Sequence, residues 1–138
     1  MSITIEVKDL GALRTSATHL KSGTMIETDA PIDNNGKGAL FSPTDLVATS
    51  LASCMLTVMG IKAEQKGIAF ERLQCSVTKV MTSGPRRISE IKVTVEVDED
   101  WSEKERKLLE HNARTCPVSL SLHPDISQDI SFIYLRDV

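Results

Sequence analysis

Two cysteines lie in sequence settings that suit thiol chemistry. Cys54 lies inside a helix-like run from Ser42 to Ala63, and Cys116 immediately precedes Pro117. A pair of thiols can act as a redox couple in which one is oxidised and the other condenses with it to form a disulfide. The two residues are too far apart for a local C-x-x-C hairpin. They can therefore cooperate only if the fold brings them together.

The residues around Cys54 predict the helix that must carry it. Ser42 can cap a helix, Pro43 suits its first position and Asp45 completes a capping box, and the helix should end near Lys66-Gly67. Apolar residues recur along it at a three-and-four spacing, namely Val47, Leu51, Cys54, Val58 and Ile61. This spacing predicts that Cys54 belongs to the apolar face.

Proline at position 117 predicts a helix boundary at Cys116. Pro117 cannot continue the hydrogen bonds of a preceding helix but can open a new one. Cys116 is then expected at or near a helix N-terminus, where the pKa of its thiol should fall. Cys75 lies in an alternating pattern without proline, glycine or a capping residue, which predicts a packing role for it.

The remaining pattern predicts strands before the long helix, and then strands, short helices and a last strand. A first strand should contain Ile3, Ile5 and Val7. Two hairpins are predicted, one of residues 14–20 and 25–28 around the turn 21–23, and one of residues 73–79 and 91–97 around the turn 83–85. The capping box of Ser102 and Glu105 should open a helix. This mixture predicts an α+β fold.

Length, charge and composition exclude several classes of protein. The 138 residues fit a single domain over 1–138, and the formal net charge of −3 is spread over interspersed residues, so no nucleic-acid partner is expected. The alternating N-terminus lacks the features of a signal peptide, and no apolar run is expected to reach the roughly 20 residues that span a bilayer. An odd number of cysteines fits a reducing compartment. We therefore expect a cytoplasmic protein without a membrane partner.

The sequence carries no pattern for a metal or an organic cofactor. His19, His111 and His123 lack metal-ligand spacing. Gly36-Lys37-Gly38 is too short for a dinucleotide or phosphate-binding loop. We expect neither a bound metal nor a nicotinamide or flavin cofactor.

The segments around the two cysteines resemble the OsmC/Ohr family of thiol-dependent hydroperoxide reductases. The similar features are the run Phe41-Ser42-Pro43-Thr44-Asp45-Leu46 leading to Cys54, and the later Cys116-Pro117-Val118-Ser119. The resemblance extends from Asp29-Ala30-Pro31 and Gly36-x-Gly38 to the isoleucine-rich end. It implies that Cys54 attacks a hydroperoxide to become a sulfenic acid, that Cys116 resolves it as a disulfide, and that an external dithiol reduces the pair.

The same resemblance implies a cation beside Cys54. A buried thiolate needs a positive charge or a donor to offset desolvation, and the family uses an arginine from the N-terminal strands. Arg14 is the first candidate, while Arg86, Arg87 and Arg114 remain alternatives.

This chain departs from the organic-hydroperoxide branch of the family at one position. There, a glutamate directly follows the helix-opening proline and bonds the arginine. Here that position is Thr44, with Asp45 one residue later. Asp45 could substitute for that glutamate, but its place in the capping box already explains it.

For the fold, the resemblance implies antiparallel β-sheets packed around a long central helix that carries Cys54, in an intertwined homodimer with two sites. Apolar residues beside Cys54, namely Leu51, Met55 and Val58, are expected to favour an organic hydroperoxide over hydrogen peroxide.

Two other functions are compatible with these residues. The first is a small-ligand binding or interaction protein that keeps the fold with weak or no turnover. The second is a hydrolase or acyl transferase with Cys54 as nucleophile, which requires a histidine within hydrogen-bond reach of Cys54. Proximity discriminates among them, because cysteines that resolve one another need α-carbons within about 7 Å or a modest local movement that achieves it.

Overall fold

A computed structural model describes residues 2–138 of the chain. Two compact units make up the fold, the first ending at Val47 and the second spanning Ala48–Val138. The predicted single domain over 1–138 stays a prediction. The order of elements along the chain agrees with that predicted, with a long helix between two groups of strands.

The first unit contains a three-stranded antiparallel sheet. Its strands are β1 (Ile5–Gly11), β2 (Arg14–His19) and β3 (Met25–Asp29), in the order β1-β2-β3. The hairpin predicted around residues 21–23 is confirmed, with Arg14 paired to Asp29 at its open end. That pairing sets an arginine of β2 directly beside a carboxylate of β3.

The turn between β1 and β2 has an unusual backbone for its residues. Ala12 and Leu13 have φ angles of 53° and 65°. Positive φ at both central residues is the requirement of a type I′ hairpin turn, which normally selects Asn-Gly because a Cβ is disfavoured there. The two strands are therefore joined tightly by residues that are intrinsically poor at this conformation.

Helix α1 spans Pro43–Lys66, as predicted. The predicted capping box is present: the Ser42 hydroxyl accepts the Asp45 N–H at 3.0 Å, and Oδ2 of Asp45 accepts the Ser42 N–H at 2.9 Å. Gly67 follows the helix with φ of 67°, the left-handed conformation that ends many helices. Local sequence thus determines both ends of this helix.

The buried face of α1 differs from the predicted one. The buried residues are Ala48, Leu51, Ala52, Met55, Met59 and Ala63. Leu51 was predicted correctly, but Cys54 and Val58 are only half-buried and Ile61 is 53% exposed. The helix is apolar over most of its circumference, so spacing alone could not select the stripe that packs in the core.

The length and hydropathy of α1 contradict the expectation that no apolar run reaches the length that spans a bilayer. By length and composition it could cross a membrane, since its most apolar 18-residue window has a mean hydropathy of 1.6. Core helices of globular proteins have the same property, and Leu51, Met55 and Met59 are fully buried within the chain. The helix thus contributes three large side chains to a protein core.

The second unit contains a mixed three-stranded sheet. Its strands are β4 (Leu73–Thr82), β5 (Arg87–Val97) and β6 (Ser127–Tyr134), in the order β4-β5-β6. The predicted hairpin of β4 and β5 is confirmed, but β6 pairs parallel to β5. The α+β fold is confirmed, with the difference that this sheet is mixed where antiparallel sheets were expected. A parallel partner requires a crossover connection, which residues 98–126 provide.

Two helices lie in that crossover, α2 (Glu103–Arg114) and α3 (Pro117–Ser121). The capping box of Ser102 and Glu105 at the start of α2 is confirmed. Strand β5 contributes Ile88, Ile91, Val93, Val95 and Val97 to the core. The connection therefore returns the chain beside a buried central strand, with Cys116 between its two helices.

Candidate active site

The structure brings Cys54 and Cys116 together within the second unit. Cys54 lies near the middle of α1, and Cys116 is the residue that precedes α3. Cys54 lies near enough to contribute, after burial, to the raised pKa of the Cys116 thiol. Both thiols are free. The fold therefore makes these two thiols neighbours, although they are far apart in the sequence.

The two thiols differ in their access to solvent. Cys54 is half-buried at the edge of the packed face of α1, whereas Cys116 is only 1% exposed. An external reagent would accordingly meet Cys54 more readily than Cys116. This asymmetry suits a pair in which one thiol meets the substrate and the other meets only its partner.

Cys116 caps a short helix, as Pro117 predicted. It has extended backbone angles, Pro117 occupies the first turn of α3, and the Ser119 N–H donates to Cys116 Sγ at 3.4 Å. An N–H donor stabilises the thiolate form of a cysteine. The backbone of α3 thus holds the Cys116 sulfur in a defined orientation.

The expected fall in the pKa of Cys116 was nevertheless wrong. Its pKa is raised, because burial disfavours the thiolate more strongly than the N–H groups of Ser119 and Val118 favour it. The nearby Cys54 adds to the increase. The sequence indicated that Cys116 precedes a helix but not how deeply its thiol is buried, and burial has the larger effect on its pKa.

Two polar residues, Ser119 and Gln128, stabilise the turn after Cys116. The Ser119 hydroxyl donates to Gln128 Oε1 at 2.6 Å, and Gln128 Nε2 donates back to the Ser119 carbonyl at 3.0 Å. Gln128 lies on β6 and was missed by sequence reasoning, which had no signal for a lone glutamine in a strand. Only the packing of β6 beside α3 shows its role.

Arg14, the predicted activating cation, is firmly paired within the first unit. Its Nε donates to Asp29 Oδ1 at 2.8 Å and its Nη2 to Asp29 Oδ2 at 2.9 Å. The Ala39 N–H also donates to Asp29 Oδ2, at 3.2 Å. The hydrogen bond from Arg14 is the largest cause of the lowered pKa of Asp29. Arg14 is therefore held in a fixed orientation, which is what a residue that orients a ligand requires.

Asp29 is the acidic partner of Arg14 in this structure. Asp45 caps α1, while Asp29 comes from the end of β3 and is only 2% exposed. Asp29 was not predicted from the sequence to pair with Arg14. Its spacing from Arg14 in the predicted hairpin was the available signal, because antiparallel register makes the two residues neighbours.

The alternative arginines have other contacts. Arg114 Nη2 donates to the Ile130 carbonyl at 3.1 Å, and its guanidinium lies 5.5 Å from the ring centroid of Phe132. Arg87 Nη1 donates to the Ile88 carbonyl at 3.1 Å. Neither contact involves a cysteine. Which arginine serves Cys54 stays a prediction.

The three residues predicted to contact a substrate are not equally accessible. Leu51 and Met55 are fully buried in the core, while Val58 is half-buried. A hydrocarbon group could reach Val58 at the surface of α1, but would have to displace core packing to reach the other two. Their role in substrate binding stays a prediction.

The histidines do not lie in settings that favour a cysteine–histidine nucleophile. His19, His111 and His123 all have exposed side chains. His19 Nδ1 is hydrogen-bonded to the Ser22 hydroxyl at 2.6 Å, and His123 Nδ1 accepts the Asp125 N–H at 3.0 Å. Within residues 2–138, no group of three or more histidine, cysteine or acidic side chains could hold a metal ion.

Cys75 lies away from this chemistry. It is half-buried on β4 opposite Val95, and burial raises the pKa of its thiol. A thiol with a raised pKa is less reactive at neutral pH. The setting agrees with the packing role that the strand pattern predicted.

Comparisons with known proteins agree on the family. The OsmC-like protein family model matches residues 36–131. A crystal structure from Psychrobacter arcticus 273-4, named for an osmotic stress and detoxification response, is 49% identical with a TM-score of 0.93, over 96% of this chain and 97% of that one. A comparison with curated proteins finds no significant match.

More distant solved structures share the fold. An OsmC-like protein from Mycoplasma pneumoniae has a TM-score of 0.77 at 19% identity, over 97% of both chains. An organic hydroperoxide resistance protein from Legionella pneumophila has a TM-score of 0.70 at 17% identity, over 94% of this chain and 96% of that one. The family match and the agreement over nearly the whole chain lead to one conclusion: this chain belongs to the OsmC-like protein family.

Proposed function

We propose that the protein is a thiol-dependent reductase of organic hydroperoxides, with Cys54 as the peroxidatic thiol and Cys116 as the resolving thiol. The observation that carries the proposal is the proximity of these two free thiols. The distant relative from Legionella pneumophila that is named for organic hydroperoxide resistance supports the same chemistry.

The reaction begins at the more accessible thiol. The Cys54 thiolate attacks the outer oxygen of the hydroperoxide, the O–O bond breaks, and the leaving alkoxide takes a proton to become an alcohol. Cys54 is now a sulfenic acid, oxidised by two electrons. Its half-buried position allows a hydroperoxide to approach it from solvent.

The buried thiol completes the oxidative half of the cycle. Cys116 loses its proton to solvent, its thiolate attacks the Cys54 sulfur to form an S–S bond, and the S–O bond breaks to release hydroxide, which takes up a proton from solvent and leaves as water. An external dithiol then reduces the disulfide by exchange. Electrons pass from that dithiol to the hydroperoxide, and cysteine alone carries them.

Arg14 is included in the proposal as the cation that favours the Cys54 thiolate and orients the hydroperoxide. Its fixed pairing with Asp29 leaves part of the guanidinium for a further partner, since Nη1 is not used in the two bonds. This role rests on the resemblance to the family. The substrate preference for a hydrocarbon body rests on the apolar surface at Val58.

A homodimer also belongs to the proposal. Many large apolar side chains of the first unit are exposed in the single chain: Ile5, Val7, Leu10, Leu13, Met25, Ile26, Ile32 and Phe41. Soluble monomers rarely expose apolar groups on this scale, and a second copy of the chain would cover them. We propose that the protein acts in the cytoplasm as such a dimer.

Mass spectrometry after oxidation tests the chemistry. Reduced wild type, Cys54→Ser and Cys116→Ser are each treated with one equivalent of cumene hydroperoxide. We expect a Cys54–Cys116 disulfide in wild type, a sulfenic or further oxidised Cys54 in Cys116→Ser, and unmodified Cys116 in Cys54→Ser. Unmodified thiols throughout would contradict the proposal and favour an OsmC-fold ligand-binding protein.

A further inference from the structure

Gln128 of strand β6 is hydrogen-bonded to the turn that carries Cys116. Gln128 Oε1 accepts the Ser119 hydroxyl at 2.6 Å, and Gln128 Nε2 donates to the Ser119 carbonyl at 3.0 Å. This two-point contact fixes both the side chain and the backbone of Ser119. The Ser119 N–H in turn donates to Cys116 Sγ at 3.4 Å. A continuous chain of hydrogen bonds therefore runs from β6 to the Cys116 sulfur.

Strand β6 gives this chain of bonds a rigid base. It pairs in parallel with the buried strand β5, with Gln128 opposite Ile91. By contrast, α3 has only five residues and is too short to be rigid by itself. The Ser119 hydroxyl also donates to the Arg114 carbonyl at 3.2 Å, so Gln128 adds the contact by which the sheet, besides the junction of α2 and α3, holds the turn of Cys116.

We infer that Gln128 is a positioning residue for disulfide formation, acting through Ser119 to aim the Cys116 sulfur at Cys54. The inference rests on the proposed redox role of the two cysteines. Attack by one sulfur on another requires an aligned approach, and a misplacement of about 1 Å can cost on the order of 100-fold in rate. Gln128 contacts neither sulfur. It fixes the residue whose N–H holds one of them.

Gln128→Leu is the main test, because leucine nearly preserves the side-chain volume and removes both hydrogen bonds. Reduced full-length protein is mixed with one equivalent of cumene hydroperoxide in the presence of dimedone, a trap for sulfenic acids. Disulfide and Cys54–dimedone adduct are then followed in time by quenching and mass spectrometry. We expect disulfide formation to slow at least tenfold and the adduct to increase, while the first-turnover consumption of peroxide is unchanged.

A matched control separates this effect from a general loss of polar contacts. Gln74 lies on β4 of the same sheet, where its Nε2 donates to Glu96 at 3.1 Å on the exposed surface. Gln74→Leu should form the disulfide at the wild-type rate. If Gln74→Leu slows disulfide formation as much as Gln128→Leu does, the positioning role is wrong.

Two further variants test whether Gln128 acts through Ser119. Ser119→Ala removes the hydroxyl that donates to Gln128. The double variant of Ser119→Ala and Gln128→Leu should form the disulfide hardly more slowly than Gln128→Leu alone, because the effects of residues that act as a unit are not additive. Gln128→Glu lacks the Nε2 donor at neutral pH but regains a donor when its carboxyl group is protonated. The rate at which Gln128→Glu forms the disulfide, divided by the wild-type rate at the same pH, should therefore rise as the pH falls. A purely structural defect would not give this pH dependence.

The outcomes distinguish failure of this inference from failure of the proposed function. If wild-type Cys54 is not oxidised by the hydroperoxide, the proposed function fails. The thiol oxidant diamide still joins the two cysteines as a disulfide by accepting two electrons, so the positioning role can be measured with it. If Gln128→Leu forms the disulfide at the wild-type rate with either oxidant, or if the Ser119 and Gln128 effects simply add, the inference is overturned.

Discussion

Arg14 and Asp29 face each other across an antiparallel strand pair and are joined by two parallel hydrogen bonds, Nε to Oδ1 and Nη2 to Oδ2. The carboxylate is 2% exposed and also accepts a backbone N–H from Ala39. A planar guanidinium fits a carboxylate in this two-point manner, and lysine cannot reproduce it. Asp29 therefore determines the direction in which Arg14 presents its remaining donors.

Asp29→Asn should lower the thermal stability at neutral pH, and the deficit should shrink in acid. The folded protein holds the pKa of Asp29 below its usual value, chiefly through the hydrogen bond from Arg14. Stabilisation by the ionised group is thus complete above the unfolded pKa of about 4 and is lost as the pH falls through the lower folded pKa. Thermal unfolding of both proteins from pH 7 to pH 2 checks this. A deficit that does not change with pH would contradict it.

The rate of disulfide formation should increase with pH above neutrality. The pKa of Cys116 is raised, principally by burial, so at pH 7 the resolving thiol is mostly protonated, and the attacking species is the thiolate. In single-turnover experiments with one equivalent of hydroperoxide, we expect up to a tenfold increase in rate per pH unit below that pKa. A rate independent of pH between 7 and 9 would show that Cys116 deprotonation does not limit this step.

The corrected face of α1 can be tested by comparing two truncations. Met59→Ala should destabilise the fold by about 2–5 kcal/mol, the usual cost of removing a large side chain from a packed core. Ile61→Ala should cost less than about 1 kcal/mol, since Ile61 is 53% exposed in the single chain. Urea unfolding followed by circular dichroism measures both. Equal losses in the free energy of unfolding would instead indicate that Ile61 lies on the packed face, as the spacing predicted.

Trp101 should be a major stabilising residue of the second unit. Its Nε1–H donates to the Ala69 carbonyl at 2.7 Å, and its ring lies parallel to Phe70 and edge-on to Tyr134. Trp101→Ala should cost about 3–5 kcal/mol. Trp101→Phe keeps the aromatic packing but leaves a carbonyl without its donor, at a cost of about 1–3 kcal/mol. Urea unfolding by circular dichroism should give this order; a larger loss in Trp101→Phe would contradict it.

The turn between β1 and β2 offers a stabilising change. Ala12 and Leu13 both have positive φ, a conformation that Asn and Gly adopt at lower cost. Replacing Ala12-Leu13 with Asn-Gly should raise the free energy of unfolding by about 1–2 kcal/mol. Thermal unfolding of the variant checks the sign. A loss of stability would mean that the Leu13 side chain contributes more through contacts than its backbone costs.

Sequence reasoning was most reliable where structure depends on neighbouring residues. The start of α1 at Ser42-Pro43, the capping box of Ser102 and Glu105 and the hairpin of β2 and β3 all depend on residues that are close together in the chain. Cys116 also lies before a helix, as Pro117 predicted. In each case the hydrogen-bonding groups that define the element are close together in the chain, so the pattern carries the information.

The sequence by itself thus determined the ends of the elements and the two thiols suited to redox chemistry. Only the tertiary structure decided that Cys54 lies near Cys116, that burial raises the pKa of Cys116, and that Asp29 holds Arg14. It also decided the parallel pairing of β6, which brings Gln128 to Ser119. These properties depend on desolvation and on contacts between distant residues, and both are set by packing rather than by local spacing.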